Sequence, residues 1–179
     1  LNNHYVQVRL TSNAANSTMN SATLTVGGTN DQWDVTTLGE TIPEAFGFTD
    51  QTDVALSSHT TSDIVQITGI DTASDISVAG TGSPEYRVCD SVDCSTEVQT
   101  WGATAGTGVV LNSHYVQVRL TSNAANSTIN SSTLDIGGVT DQWDVTTLGD
   151  TIPDAFGFTD QTDVALSSLI TSDIVQITG

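Results

Sequence analysis

The chain has 179 residues, with 21 Asp and Glu against three Arg (Arg9, Arg87 and Arg119) and no Lys, for a formal net charge of −18. Such a polyanion repels phosphate and anionic headgroups, which argues against nucleic acid and membrane surfaces as partners and leaves cations as natural counterions. Covalent Lys–Asn or Lys–Asp cross-links cannot form without Lys, no apolar run approaches a membrane span, and charged residues make up only 13% of the chain. The surface therefore reads as uncharged polar with a thin acidic coat, a pattern that suits a secreted protein.

Strand alternation is frequent along the chain and helical periodicity nearly absent. In "YVQVRL" Val6, Val8 and Leu10 share one face and Tyr5, Gln7 and Arg9 the other, as in a half-buried antiparallel strand. "TLTV" puts Leu24 and Val26 on one side, "GGTND" supplies turn residues, and "QWDVTT" returns with Trp33 and Val35 facing one way, which predicts a hairpin. Alternation resumes with Phe46 and Phe48, Val54 and Leu56, Val65 and Ile67, then Ile76 and Val78, Tyr86 and Val88, and Val98 before Trp101. Short strands about every eight to twelve residues, joined by Gly, Asn, Asp, Ser and Thr, predict a β-sandwich.

Cys89 and Cys94, in "VCDSVDCS", are the only cysteines. Their even number and short spacing favour a local disulfide tying a hairpin; reduced thiols, or a bridge between neighbouring units or chains, are the alternatives. With no His nearby, zinc is disfavoured.

Residues 1–69 laid over 111–179, an offset of 110, match without a gap at 58 of 69 positions, leaving 11 differences. The differences cluster between Ala22 and Asn30 and their copies Ser132 and Thr140, as expected of a turn and its flanks. A period of 110 is too long for a solenoid repeat and suits one independently folding domain. Without an initiator Met or a signal peptide, the chain reads as a window on a tandem array, from a longer parent with further copies on both sides. Pro43 in "TTLGETIPEAF" and Pro153 in "TTLGDTIPDAF" mark the linkers, since proline cannot donate to a ladder and stiffens a connection. The expected division is the C-terminal part of one unit (1–40), a complete unit (43–147) and the N-terminal part of the next (153–179).

The segments "AFGFTDQTDVALSS", "SDIVQITGI", "ISVAG", "YRVC" and "HYVQVRLTSNAANSTINSSTLDIGGVTDQWDVTT" together resemble the tandem immunoglobulin-like repeats of large secreted bacterial surface proteins and adhesins. The resemblance covers essentially the whole chain and brings no catalytic motif. It implies an all-β fold class of tandem Ig-like β-sandwich domains, a secreted, cell-surface location and a structural role as a filament or adhesin stalk. The alternative is a multivalent adhesin module gripping a ligand or glycan. Implied partners are copies of the protein itself, in tandem and laterally, with any cell-surface or glycan ligand lying elsewhere in the parent.

No reaction is expected of these residues. His59 is replaced by Leu169 in its copy, and no G-x-S-x-G elbow, phosphate loop, metal-binding His pair or EF-hand is present. "NST" at Asn16 and Asn126 and "NSS" at Asn130 match the glycosylation sequon but read equally as surface turns. "TDQTD" brings Asp50 and Asp53 close to the linker residue Glu44, and the copy repeats them as Asp160, Asp163 and Asp154. Carboxylates gathered at a domain joint are what calcium needs, and make it the one cofactor to consider; solvated turn residues closing Asx turns are the other reading. Asp34 and Asp144 read as plain surface charge. Trp33, Trp101 and Trp143 could form a carbohydrate platform, but the pairing of Trp33 with Val35 favours core packing.

Overall fold

The computed structural model describes residues 3–179, with backbone alone at Thr107 and Gly108. Among the described residues there is no helix. The chain begins with a hairpin, β1 (Met19–Val26) and β2 (Thr29–Thr36), that forms a two-stranded sheet of its own. Ten further strands follow: β3 (Gln51–Val54), β4 (His59–Thr61), β5 (Val65–Gln66), β6 (Ser74–Gly80), β7 (Glu85–Cys89), β8 (Glu97–Gly102), β9 (Gly106–Val110), β10 (Tyr115–Thr121), β11 (Ile129–Ile136) and β12 (Val139–Thr147). They make two five-stranded sheets, one in the order β4-β10-β7-β8 with β5 also on β10, the other β3-β12-β11-β6-β9. All pairs are antiparallel except β3 on β12.

The period-2 pattern decides which side chains face inward. Val116, Val118 and Leu120 of β10 and Tyr86 and Val88 of β7 are buried from one sheet; Leu134, Ile136, Trp143, Val145 and Ile76 are buried from the other. Phe46, Phe48, Val54 and Val65 pack against this cluster from the segment that leads into and out of β3. The two large polar-tipped residues of the core reach partners. Trp143 Nε1 donates to Thr49 O at 3.0 Å, and the Tyr86 hydroxyl donates to Thr104 O at 2.8 Å while accepting from Gln99 Nε2 at 2.7 Å. A buried indole or phenol left without such a partner would cost about 1–3 kcal/mol.

The β1–β2 and β11–β12 hairpins share one register at the 110-residue offset: Met19 pairs with Thr36 and Ile129 with Thr146, down to Val26 with Thr29 and Ile136 with Val139. Each turns on two glycines with positive φ, Gly27 and Gly28 (60° and 88°) and Gly137 and Gly138 (59° and 89°). Left-handed φ at both central residues is the type I′ requirement, and glycine meets it without a Cβ penalty. The turn is thus confined to the glycines, and the "TND" grouped with them in the sequence reading begins β2.

Identical sequences nonetheless behave differently at the two ends. Val116 is fully buried in β10, whereas its copy Val6 is 68% exposed in a segment that forms no strand. β10 receives hydrogen bonds from β4, β5 and β7, and 5–10 has no such neighbours, so its alternation has nothing to pair with. The reading of Trp33 as a core residue requires the same correction. Trp143 is 0% exposed and Trp33 46%, because β12 lies beneath β3 and the Phe46–Phe48 edge-to-face pair while β2 has only β1. Residues 153–179, the copy of 43–69, likewise carry no strand and lie almost wholly exposed.

Candidate functional site

The most developed polar constellation outside the core lies where the segment after β2 meets the loop after β5. The Asp71 carboxylate accepts from the Glu40 backbone N–H, and Glu40 O accepts in turn from the N–H groups of Asp71 and Thr72, both at 3.1 Å. The Glu40 carboxylate is held on both sides: Oε2 accepts from Asn16 Nδ2 at 2.6 Å and Oε1 from Ile42 N at 2.9 Å. Gly39 is drawn so close that a Cβ there would fall 1.6 Å from Thr72 Oγ1. No residue with a side chain fits that approach without moving one strap off the other.

Three residues beyond Glu40, Pro43 is buried, and Glu44 ties the linker down. Its N–H donates to Thr68 O at 2.9 Å and its Oε2 accepts from Thr68 Oγ1 at 2.7 Å. The hydrogen bond from Ser17, followed by those from the Glu40 backbone and Thr72, holds the Asp71 carboxyl below the usual aspartate range; burial opposes them. Hydroxyls, backbone N–H groups and an amide, rather than basic side chains, thus meet the negative charge of this joint. The signal in the sequence was the acidic residue retained before each proline, Glu40 and Asp150; Asp71 lies outside the repeated stretch and could not be paired with it by inspection.

The acidic residues singled out for calcium do not converge. Glu44 is engaged with Thr68, Asp50 Oδ1 accepts from Asp144 N at 2.8 Å, and Asp53 sits at a left-handed turn position with φ 55°. In the copy, Asp154 Oδ2 accepts from Thr178 Oγ1 at 2.9 Å, Asp163 has φ 56°, and Asp160 is exposed. Among the described residues no group of three or more His, Cys, Asp or Glu is placed to hold a metal ion. Glu44 and Asp154 each hold the threonine 24 residues further on, while the Asp50 carboxylate reaches across to the backbone of β12.

Cys89 and Cys94 form a disulfide, with Cys89 fully buried and Cys94 6% exposed. The sequon residue Asn130 is buried, its amide donating to Thr121 O at 2.8 Å and its Oδ1 accepting from Asn123. That side chain is structural. Trp101 lies beneath two guanidinium groups, Arg87 at 4.9 Å and Arg119 at 4.5 Å from the ring centroid, which adds cation–π attraction to the ion pairs Arg87–Glu97 (3.1 Å) and Arg119–Glu85 (2.6 Å). Two of the three cations of the chain are therefore committed to one sheet face, an arrangement the sequence reading missed because the residues come from three separate strands. Asp34 belongs to a local network too, its carboxyl lowered by hydrogen bonds from Ser21 and then Gln32. A shallow hollow of about 370 Å³ lies beside Asp75, Ile76, Gly106, Asp135 and Gly137; Asp135 accepts there from Gly138 N.

Solved structures similar to the chain include two of one surface-layer protein. One is the crystal structure of the S-layer protein SbsC domains 4 and 5, 13% identical over 73% of this chain and 58% of that one, with a TM-score of 0.35. The other is surface layer protein SbsC, domains 1–6, 11% identical over 80% of this chain and 18% of that one, with a TM-score of 0.36. The chain thus spans less than two thirds of either neighbour. No family model matches the sequence, and no curated protein does.

Proposed function

We propose that the chain is part of an extracellular structural protein in which Ig-like units of 110 residues follow one another as a surface filament or an adhesin stalk. The observation that carries this reading is the strapped linker, whose hydrogen bonds recur at the same offset. Ile42 N to the Glu40 carboxylate is repeated by Ile152 N to Asp150 Oδ1, and the Glu44–Thr68 pair is repeated by Asp154–Thr178. A linker held to the unit that follows it, with proline inside, restricts the angle between successive units. Length then grows with each copy while every unit closes its own core. The disulfide and the lysine-free, polyanionic surface support an extracellular setting.

The test is mechanical. A chain of several units, built by repeating residues 43–152, should appear in electron micrographs as straight rods lengthening by a constant increment per unit. Replacing by Ala the glycine of every internal linker, which is Gly149 of one repeat placed against Thr72 of the next as Gly39 is here, should make them bend. Rods that collapse into globules or freely jointed beads before any mutation would overturn the reading.

A further inference from the structure

Within the core, the stretch around β3–β5 closes both sheets by contacts that can be named. On β12, Phe48 N donates to Asp141 Oδ2 (2.8 Å), Trp143 Nε1 to Thr49 O (3.0 Å) and Asp144 N to Asp50 Oδ1 (2.8 Å), while β3 runs parallel with Val145 opposite Gln51. On β10, Arg119 lies opposite Thr61 and Val116 opposite Val65.

Every residue in these contacts has an identical copy, and the copies are parted between the two flanks. Asp31, Trp33, Asp34 and Val6 lie in the first flank; Phe158, Thr159, Asp160 and Val175 lie in the last. Both sets are presented to solvent. Trp33 is 46% exposed and Phe158 59%, and the Phe156–Phe158 edge-to-face pair already repeats that of Phe46 and Phe48, at 6.4 Å against 6.3 Å. The 153–179 flank also keeps its own internal bonds: Thr159 N to Asp173 Oδ1 and Gln161 Nε2 to Thr171 O repeat Thr49–Asp63 and Gln51–Thr61. One flank is therefore a ready-shaped insert and the other the face it fits.

We propose that in the 179-residue chain these flanks bind each other between copies, residues 153–177 of one copy docking on residues 5–38 of the next. Residues 161–164 add parallel to β2, and 169–171 and 175–176 add antiparallel to the 5–11 segment, in the registers seen at β3, β4 and β5. Strand addition supplies the main-chain hydrogen bonds and Trp33 the apolar anchor. The interface is heterologous, so it propagates head to tail and does not close into a twofold dimer. Counterparts of β6 to β9 are absent from it, so it makes fewer contacts than the core does. The proposal deepens the tandem-unit reading and rests on it, because the fit between the flanks is the fit of one unit.

The test uses the full chain with Trp33→Asp, which spoils the face, and Phe158→Asp, which spoils the insert. Sedimentation of the unmodified chain should show masses rising with concentration in steps of 18.7 kDa. Each variant alone should remain a monomer, and an equimolar mixture should give a dimer and nothing larger, with Trp33 of the Phe158→Asp chain shifting its emission to the blue. Both residues lie outside the core, so thermal unfolding of the core should match that of the unmodified chain. An unmodified chain that stays monomeric to millimolar concentration, a variant that associates by itself, or a mixture that does not dimerise would each overturn the proposal. If tandem chains still form straight rods after such a result, only the docking of the flanks is lost.

Discussion

Ser132 is 1% exposed, and its Oγ finds no hydrogen-bond partner among the described residues, although it packs opposite Trp143 in the sheet. The same position in the preceding copy is Ala22, opposite Trp33. A buried hydroxyl without a partner costs about 1–3 kcal/mol. Ser132→Ala should therefore raise the stability of the core, by about 1 kcal/mol in chemical denaturation, and a loss instead would show that the hydroxyl is satisfied. The two tryptophans give an internal control of the same kind. Trp143→Ala removes a fully buried side chain and its bond to Thr49, and should cost about 3–5 kcal/mol. Trp33→Ala in the same chain should leave the midpoint of core unfolding in place.

At the scale of elements, the strapped linker makes a claim about position. Gly39 abuts Thr72, whereas the nearest atom a Cβ at its copy Gly149 would meet is Ser127 Oγ, at 3.7 Å. Gly39→Ala should free the β1–β2 hairpin from the core, seen as faster amide exchange at Glu40, Asp71 and Thr72, and Gly149→Ala should not. The same contact depends on pH. Because the folded-state pKa of Asp71 is depressed, its contribution is complete above the ordinary aspartate pKa and is lost as pH falls through the lower folded value. The protection of those amides, relative to their intrinsic exchange rate at each pH, should fall below about pH 4, and Asp71→Asn should weaken the strap at neutral pH as well. The hairpins illustrate how much of an element is local. β1–β2 keeps the register of β11–β12 without the neighbouring strands, since the Gly-Gly turn and the alternation fix it. Residues 5–10 contain the same strand sequence as 115–120 and form none, since a strand is completed by its neighbours.

For the whole molecule the governing number is −18. Two of the three cations are paired with Glu85 and Glu97, so most acidic groups face water without a basic neighbour, and the compact state repels itself. Raising ionic strength from about 0.01 M to about 0.15 M shortens the screening length from about 30 Å to about 8 Å. It should raise the melting temperature and, between copies, strengthen end-to-end association. A melting temperature that falls with added sodium chloride would contradict this account.

The sequence by itself determined the period, the alternating strands, the glycine turns, the apolar faces and the spacing that allows Cys89 and Cys94 to join, because each follows from residues close together or from a literal repetition. It could not decide whether a given copy of a strand is buried or bare, which carboxylate straps which backbone, or that Arg87 and Arg119 meet over Trp101. Those outcomes depend on which strands lie side by side, and the same letters at Trp33 and Trp143 reach opposite fates for that reason alone. Burial belongs to the assembled sheets, and only the tertiary structure allocates it.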